Sequence, residues 1–443
     1  MNLLEQIKEA GIIGAGGAGF PTHAKLNTKA EYLLMNAAEC EPLLRVDQQL
    51  MVKYSDEILQ GFAAAKQQVQ AEKAIIGIKG KHADVIDHLR QRISALGMDG
   101  VIEIGILPDV YPAGDEQVLV YQLTGRVVPE TAIPIAVGCV VINSETTLNI
   151  YKAMQGIPVT EKYITLAGDI PNRITVKVPV GSPILDVLKL SGIEDFRDYS
   201  IIDGGPMMGP MLADINGFIT KKNKGFIILK KNHGLVQRKS VTMEQARRVN
   251  KATCEQCRMC TDMCPRYLLG HNIQPHKTMR IMNYGIEDME GMKAAQLCCQ
   301  CNMCELFACP AGLHPRMANL YYKNKLGAEK IKYTPTKTEF EPRAARSYRL
   351  VPSKRLIARL GLKDYDQPAP LTEEPLVNPE VIRIVMRMHV GAPAQPIVTV
   401  GQAVQAGQMI AKIPDGALGT AMHTSITGTV SEVTGDYIEI RRS

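Results

Sequence analysis

Nine of the eleven cysteines in this 443-residue chain lie between Cys254 and Cys309, and their spacing constrains the fold more than any other feature. The first run reads Cys254-x2-Cys257-x2-Cys260-x3-Cys264-Pro265, and the second reads Cys298-x2-Cys301-x2-Cys304-x4-Cys309-Pro310. Three cysteines at three-residue spacing wrap the backbone around one corner of an iron–sulfur cube, and the fourth ligates the other cluster. The spacing therefore predicts a ferredoxin-like module with two [4Fe–4S] clusters.

The cross-ligation rule divides the eight cysteines into two predicted ligand sets. One cluster takes Cys254, Cys257, Cys260 and Cys309, and the other takes Cys264, Cys298, Cys301 and Cys304. The alternative is a pair of zinc sites, since CxxC pairs also suit tetrahedral zinc. Three cysteines per run and the trailing Cys-Pro favour iron–sulfur, with Cys299 as a spare beside Cys298 and electron transfer as the function.

Membrane insertion and export are not expected. The longest apolar run, from Ile133 to Ile142, is short and interrupted by Pro134 and Gly138, whereas a membrane span needs about 20 apolar residues. The first six residues lack a basic region followed by an apolar core, so they do not resemble a secretory signal. The clustered cysteines also fit an intracellular protein, because cysteines grouped in this way in an intracellular chain bind metal more often than they form disulfides. We predict a cytoplasmic protein without direct membrane insertion.

The hydrophobic pattern divides most of the chain into four regions. Helix-like and strand-like segments alternate up to residue 150, with strands at 74–78 and 101–104 around a helix at 82–96, which predicts an α/β unit. Short β runs between Gly and Pro turns follow at 163–236 and predict a small α+β domain. Residues 241–326 are Cys-rich and favour helices, and residues 381–443 are β-rich.

A basic segment separates the last two regions. Residues 316–363 contain 13 Lys and Arg against three Glu. The net charge of this segment is therefore more positive than the +6 of the whole chain. Such a block can attract nucleic acid, a membrane surface or an acidic partner. Its prolines indicate a connector between folded units, and we predict a solvated linker with no nucleic-acid partner.

The C-terminal region contains two similar halves, at 398–408 and 425–433. They are typical of a small flattened barrel of the biotinyl/lipoyl type. Carrier domains of that type hold their prosthetic group on a lysine between the halves, but residues 416–423 contain no lysine. We therefore predict a structural module.

A glycine-rich loop at 14–22 (GAGGAGFPT) formally contains G-x-G-x-x-G. A Rossmann fingerprint requires a preceding strand, whereas a short helix and only Ile12-Ile13 come first here. The loop can still bring backbone N–H groups close to a phosphate, with Lys25 nearby to neutralise charge. Three further segments mix small and polar residues after apolar runs: 36–42 (NAAECEP), 111–116 (YPAGDE) and 143–146 (NSET).

Together these segments resemble a known set. The sequences at 14–26 and 36–42 are similar to the flavin-binding motifs of the complex I flavoprotein subunit and of RnfC. The sequences at 111–116 and 143–146 are similar to further parts of the FMN and NADH pocket of those proteins. Residues 163–236, with DGGPMMG at 203–209, resemble the SLBB β-grasp domain of RnfC. The resemblance implies that FMN phosphate is held by Gly14, Gly16, Gly17, Gly19 and Lys25. It also implies that flavin or NADH is surrounded by Asn36, Glu39, Glu41, Asp115, Glu116 and Asn143.

The order of the modules decides between relatives. RnfC proteins place the barrel before the flavin domain, whereas this chain ends with it, which resembles the PduS family of cobalamin reductases from propanediol-utilising bacterial microcompartments. The resemblance implies electron transfer from NADH through FMN and two [4Fe–4S] clusters to a corrinoid, reducing cobalamin towards Co(I). A flavin can link a two-electron hydride donor to one-electron acceptors, and no side chain is expected to act as a catalytic acid or base.

The family resemblance implies a multidomain α/β and α+β protein. Its predicted parts are an FMN/NADH-binding α/β domain (1–160), an SLBB β-grasp domain (161–238), a helical two-[4Fe–4S] domain (239–328), a basic linker (329–375) and a barrel-sandwich hybrid domain (376–443). Two alternatives stay open. One is an RnfC-like subunit of a membrane ion-pumping complex. The other is an electron-transfer adaptor or shell-docking protein that has lost its flavin site.

Overall fold

A parallel four-stranded sheet forms the centre of the N-terminal part of the computed structural model, which describes residues 1–372, 374 and 377–443. The strands of this part are β1 (Tyr32–Ala37), β2 (Lys73–Lys79), β3 (Glu103–Leu107), β4 (Val110–Tyr111) and β5 (Cys139–Asn143). All but β4 pair in the order β3-β2-β1-β5. The chain therefore leaves β1 on one side and returns to its other side, which opens a crevice at the carboxyl ends of β1 and β5.

Helices cover both faces of this sheet, as parallel sheets require. Leu33 and Met35 of β1 pack into one hydrophobic core and Leu34 into another, so consecutive residues of the strand are apolar. The strand predicted at 101–104 begins at Glu103, because the amides of Val101 and Ile102 close a turn on Met98. The helices are α1 (Leu3–Glu9), α2 (Thr22–Leu26), α3 (Val46–Lys53), α4 (Ser55–Gln68), α5 (Ala83–Ala95), α6 (Glu116–Thr124) and α7 (Ser144–Met154), with a 3-10 turn at Pro134–Val137.

The next part of the chain is a mixed sheet with one helix across it. Its elements are β6 (Glu161–Gly168), β7 (Ile174–Pro179), α8 (Ile184–Lys189), β8 (Tyr199–Asp203) and β9 (Gly225–Lys230). The strand order is β7-β6-β9-β8, with β6 and β9 parallel and both outer pairs antiparallel. Ile184, Val187 and Leu188 of α8 are buried in the core of this sheet. This is the predicted β-grasp arrangement.

The cysteine-rich part consists of short helices and the loops between them. They are α9 (Gly234–Lys239), α10 (Met243–Thr253), α11 (Met259–Asp262), α12 (Pro265–Leu268), α13 (Pro275–Tyr284), α14 (Met289–Ala294) and α15 (Pro315–Ala328), with a 3-10 turn at Ala295–Leu297 and a π-helical segment at Met303–Ala308. Each cysteine run therefore spans a loop and the short helical segment that follows it, with Cys260 in α11 and Cys304 in the π-helical segment.

The basic connector is more structured than its composition predicts. It contains β10 (Val351–Pro352), which pairs with β4, α16 (Ser353–Arg359), and 3-10 turns at Ala344–Tyr348 and Lys363–Tyr365. Leu356 and Leu360 lie in one hydrophobic core with Tyr111 of the first domain and Leu306 of the cysteine-rich part. The predicted boundary between connector and barrel, at 375/376, lies outside the described residues.

The C-terminal part is a barrel sandwich of two small sheets, β11-β17-β16-β13 and β12-β14-β15. Its strands are β11 (Val381–Val385), β12 (Gln395–Pro396), β13 (Ala403–Val404), β14 (Met409–Lys412), β15 (Met422–His423), β16 (Gly428–Val433) and β17 (Tyr437–Arg442). The two similar halves meet where Ala403 pairs with Thr429. The barrel also contacts the glycine-rich loop, since the amide of Val390 donates to Gly19 O (3.1 Å). Across residues 1–372, 374 and 377–443, no helix combines the length and apolarity of a membrane span.

Candidate cofactor sites

The fold gathers the eight predicted ligand cysteines into two groups that mix the two runs. Cys260 lies close enough to Cys309, Cys257 and Cys254 for these thiols to raise its pKa, after the larger effect of burial. Burial also raises the pKa of Cys304, with smaller contributions from Cys298, Glu305, Cys260 and Cys264, and that of Cys264, with smaller contributions from Cys299 and Cys298. The outer group is defined as Cys254, Cys257, Cys260 and Cys309, and the inner group as Cys264, Cys298, Cys301 and Cys304. Each run thus sends its fourth cysteine towards the other run, as cross-ligation requires.

The two runs share one backbone conformation. Gln256 and Arg258 have left-handed φ angles of 57° and 65°, and Gln300 and Asn302 have 62° and 65°. Such angles are uncommon for residues other than glycine, so their repetition at equivalent positions indicates the same wrapping loop. In this alignment Cys298 corresponds to Cys254. Cys299 corresponds to Glu255, outside the repeated ligand positions.

The extra residue in the second run is absorbed by a π-helical segment. The first run continues through the α-helical turn α11 to Cys264, whereas the second continues through the π-helical segment Met303–Ala308 to Cys309. The amide of Cys309 donates to Cys304 O five residues earlier (3.2 Å), which is the π pattern. Cys264 and Cys309 then adopt nearly the same extended backbone, with φ of −70° and −71°, and each precedes a proline.

The chemistry of both groups suits iron–sulfur clusters. The Cys254 and Cys298 sulfurs accept hydrogen bonds from Gln256 Nε2 (3.1 Å) and the Gln300 amide (3.4 Å). Burial raises the pKa of Cys260 to about 12, so the thiolate needs the positive charge of bound iron. Among the described residues no three Cys, His, Asp or Glu side chains are placed to hold a single metal ion. A cubane requires a wider set, because its four thiolates bind different iron atoms.

The glycine-rich loop lies at the crevice between β1 and β5. The Gly14 amide donates to Phe20 O (2.9 Å), which closes the loop, and the Ala15 amide donates to Thr146 Oγ1 of α7 (3.0 Å). Gly16 and Gly17 are exposed at the tip. A Cβ atom at Gly16 would lie 3.2 Å from Asn143 Nδ2. The backbone of the loop at Gly16 therefore lies close to the end of β5. A side chain at this position would obstruct the crevice.

Two of the predicted asparagines lie side by side at the carboxyl ends of adjacent strands. Asn36 of β1 is in register with Asn143 of β5. Asn36 Nδ2 donates to Gly114 O (2.9 Å), and the Asn143 side chain caps α7 by accepting from the Glu145 amide (3.0 Å). The segments predicted from the sequence at 36–42, 111–116 and 143–146 are thereby brought to one edge of the sheet.

Lys25 and Glu116 form an ion pair with each other (2.9 Å), and Lys25 Nζ also donates to Val141 O (2.9 Å). Each side chain is more than a third exposed. The pair joins α2, which follows the glycine-rich loop, to the start of α6, and it leaves the lysine available to an anionic group at this edge.

A buried polar network lies beneath the crevice. Asp47 of α3 accepts hydrogen bonds from Asn143 Nδ2 (3.1 Å) and Ser144 Oγ (2.5 Å), and it pairs with Lys224. Glu39 accepts from the Asp47 amide (2.9 Å) at the start of α3. Burial, with a contribution from Asp47, raises the pKa of Glu39 to about 7. Asn143 is thus oriented by residues that the sequence does not single out.

Glu41 turns away from the crevice towards the β-grasp domain. Its carboxylate accepts hydrogen bonds from the amides of Met207 (2.8 Å) and Met208 (3.0 Å). Both residues lie in the loop that contains the GGPMMG sequence. A Cβ atom at Gly205 would lie 2.1 Å from Glu41 Oε2, so only glycine permits this approach. The Tyr111 hydroxyl lies 3.4 Å from Glu41 and donates to Cys301 O (2.7 Å). Glu41 and Tyr111 therefore connect the flavin-like domain to the inner group.

Asp115 makes a second connection to the inner group. It caps α6 by accepting from the amides of Gln117 and Val118 (3.1 Å each), and it pairs with Arg266 Nη2 (2.9 Å). Arg266 follows Cys264-Pro265 directly and contacts the side chain of Cys299. The spare cysteine is therefore hydrogen-bonded beside the inner group. Sequence reasoning did not single out Tyr111, Arg266, Asp47 and Lys224 as site residues. Tyr111 opens the segment 111–116 and Arg266 adjoins a ligand motif, whereas no motif marks Asp47 or Lys224.

Models of known families match three parts of the chain. Residues 7–152 match the Nuo51 FMN-binding domain, residues 253–314 match the 4Fe-4S dicluster domain, and residues 363–441 match the RnfC barrel sandwich hybrid domain. These matches confirm the predicted fold class and the predicted FMN and iron–sulfur cofactors. The individual ligand residues stay predictions.

Two curated relatives are similar to nearly the whole chain. The cobalamin reductases PduS of Citrobacter freundii and Salmonella typhimurium are each 42% identical to it over 441 residues, which is 99% of this chain and 96% of theirs. One component of the Na+-translocating ferredoxin:NAD+ oxidoreductase complex of Acetobacterium woodii is 34% identical over 61% of this chain and 59% of its own. Among solved structures, an air-oxidised NAD+-reducing [NiFe]-hydrogenase aligns with a TM-score of 0.48 at 20% identity, over 83% of this chain and 67% of that one.

The cysteine grouping predicts which substitutions remove a cluster. Cys257→Ala and Cys301→Ala should each lower the iron content of the purified protein by about half, because each removes a ligand of one cluster, while FMN stays bound. Cys299→Ala, a change of the same kind next to a predicted ligand, should retain the full iron content. Full iron content in Cys301→Ala, or loss in Cys299→Ala, would contradict the assignment.

The glycine-rich loop predicts a selective loss of flavin. Gly16→Val places a branched side chain against Asn143 at the crevice, so the purified variant should contain little FMN while both clusters remain visible by EPR. Ala18→Val is the control, because Ala18 lies in the same exposed loop and already has a Cβ atom. FMN content in Gly16→Val equal to that of the wild type would show that FMN binds elsewhere.

Proposed function

This chain belongs to the PduS family, and we propose that it is a cobalamin reductase that takes electrons from NADH and delivers them to a corrinoid. The observation that carries the proposal is the 42% identity with two cobalamin reductases over nearly the full length of all three proteins. The same span contains the FMN-binding and dicluster matches, so both cofactor sites lie within the region of similarity.

The bound groups supply the redox chemistry, since FMN can exchange two electrons with a nicotinamide and single electrons with iron–sulfur clusters. We propose that Gly14, Gly16, Gly17, Gly19 and Lys25 hold the FMN phosphate and that Asn36 and Asn143 face the flavin from the two strand ends. The charge balance requires one NADH to release NAD+, one proton and two electrons, which reduce two cob(II)alamin molecules to cob(I)alamin.

The structure of the chain supports transfer between the two cofactor sites. The Tyr111 hydroxyl binds Cys301 O at 2.7 Å, and Asp115 pairs with Arg266 at 2.9 Å. Both contacts join the flavin-like domain to the inner group. The outer group contains Cys257, whose side chain is exposed. The roles of Glu41 and Asp115 within this proposal are therefore to position the inner group against the domain, not to touch substrate.

The alternative of an RnfC-like component of a membrane complex has weaker support. The similarity to the Acetobacterium woodii protein covers 61% of this chain, against 99% for the cobalamin reductases. Location in a bacterial microcompartment and contact with its shell proteins are further parts of the proposal. They rest on the resemblance to proteins of such compartments.

The proposal predicts NADH-dependent reduction of cob(II)alamin by the purified protein without membranes. Under anaerobic conditions, the loss of the cob(II)alamin EPR signal should require the protein and should consume one NADH per two cob(II)alamin. A Gly16→Val sample is the matched control, because it should retain clusters but lack flavin. NADH-driven reduction of the flavin with no change in cob(II)alamin would overturn the corrinoid as acceptor.

A further inference from the structure

A groove lies on the far side of the loop at 204–209 from Glu41. It has a volume of about 620 Å³, within the range of small-molecule sites. The amide of Met207 faces Glu41, whereas its carbonyl accepts hydrogen bonds from Lys239 Nζ (3.1 Å) and Asn302 Nδ2 (3.0 Å), which both line the groove. One wall is therefore the β-grasp loop, and the other is α15 of the cysteine-rich part.

The groove adjoins the inner group directly. Asn302 and Glu305, which line it, are the next residues after Cys301 and Cys304. Asn302 is one of the left-handed residues of the wrapping loop. A molecule in the groove would therefore contact the peptide segments that carry two of the predicted cluster ligands.

Two acceptor atoms in the groove are buried without a partner. Asn302 Oδ1 and Glu305 Oε2 receive no hydrogen bond from any part of the chain that the structure describes, although the residues are only 3% and 4% exposed. The other oxygen of Glu305 contacts His314 Nδ1 (3.1 Å). Buried acceptors without partners are costly, so this site suits a ligand that presents N–H donors.

The groove is also positively charged. Among the described residues that line it are four cations and one acid, namely Arg238, Lys239, Arg316, Lys325 and Glu305. Arg238 is already bonded to the carbonyls of Glu305 and Leu306, and Lys239 to that of Met207. Within the described residues, Arg316 Nε is buried and has no hydrogen-bond partner, and Lys325 is exposed. These two cations are available to an anion.

Apart from Asn324, the remaining described lining is mainly apolar. Met211, Val241, Met317 and Leu320 contribute side chains to the walls, with Tyr321 at the edge. Flexible methionines adapt to an irregular or broad apolar surface. The site thus combines an apolar wall, unpaired acceptors and two available cations.

We propose that this groove binds the corrinoid, an inference that rests on the proposed function and adds the location of its acceptor. A corrinoid has a broad ring with apolar faces, carboxamide side chains that donate N–H bonds, and one phosphate in its nucleotide loop. The ring packs against Met317 and Leu320, carboxamides donate to Asn302 and Glu305, and the phosphate pairs with Arg316 and Lys325. One electron from the adjacent cluster then converts cob(II)alamin to cob(I)alamin, with no bond to protein formed.

The test measures corrinoid binding and flavin activity separately in the holoprotein. Arg316→Gln combined with Lys325→Glu should weaken the binding of hydroxocobalamin at least about tenfold by isothermal titration, since charge complementarity is lost. Met317→Trp should weaken it by filling the groove without changing charge. Lys332→Glu is the control for the change in charge, because Lys332 is exposed and lies outside the groove. All variants should retain FMN, iron and NADH:ferricyanide reductase activity.

The outcomes separate the two proposals. Weaker cobalamin binding with unchanged ferricyanide reduction supports the groove as the corrinoid site. Wild-type affinity in both groove variants overturns the groove assignment but leaves the cobalamin reductase function intact. Loss of ferricyanide reduction and of NADH binding in the groove variants would assign the site to the dinucleotide instead and overturn the inference. A wild-type protein that binds no cobalamin at all would overturn the proposed function together with it.

Discussion

The half-buried carboxylate of Glu41 connects three parts of the protein at one loop. On one side the loop at 204–209 donates two amides to Glu41, and on the other the carbonyl of Met207 accepts from Lys239 and Asn302. Burial raises the pKa of Glu41, while the hydrogen bonds from Met207 and Met208 and the charge of Lys239 oppose that rise. Tyr111, beside Glu41, reaches the inner group through Cys301 O. The relative placement of the flavin-like domain, the β-grasp domain and the clusters therefore depends on this contact.

The sequence predicts the cofactors better than the contacts between domains. Cysteine spacing is local, so it indicates the two clusters, and the structure explains the extra residue before Cys309 by a π-helical segment. The family resemblance places Glu41 and Asp115 around flavin or NADH. In the structure, Glu41 accepts from the amides of Met207 and Met208, and Asp115 pairs with Arg266. These partners are 151 or more positions away along the chain, and no spacing rule links residues so far apart.

The connector shows how composition alone can mislead. Its arginines predict a solvated linker, but the guanidinium carbons of Arg343 and Arg346 lie 3.9 and 4.5 Å from the ring centres of Tyr267 and Tyr121. Stacking of this kind lets a charged side chain cover an apolar surface. Together with α16 in the shared core, these contacts tie the connector to both the flavin-like domain and the cysteine-rich part.

The central claim is that Tyr111 and Asp115 of the flavin-like domain connect it to the inner group, through Cys301 O and Arg266. The most direct test is a potentiometric EPR titration of Asp115→Asn, which removes a negative charge next to Arg266 and Cys299 but keeps a residue able to cap α6. In Asp115→Asn, the reduction potential of the inner cluster, identified as the one missing from Cys301→Ala, should be higher than in the wild type. The added electron then meets less repulsion from nearby negative charge. The cluster that Cys257→Ala eliminates should keep its potential. Equal shifts in both clusters, or a shift in the outer one alone, would contradict the account.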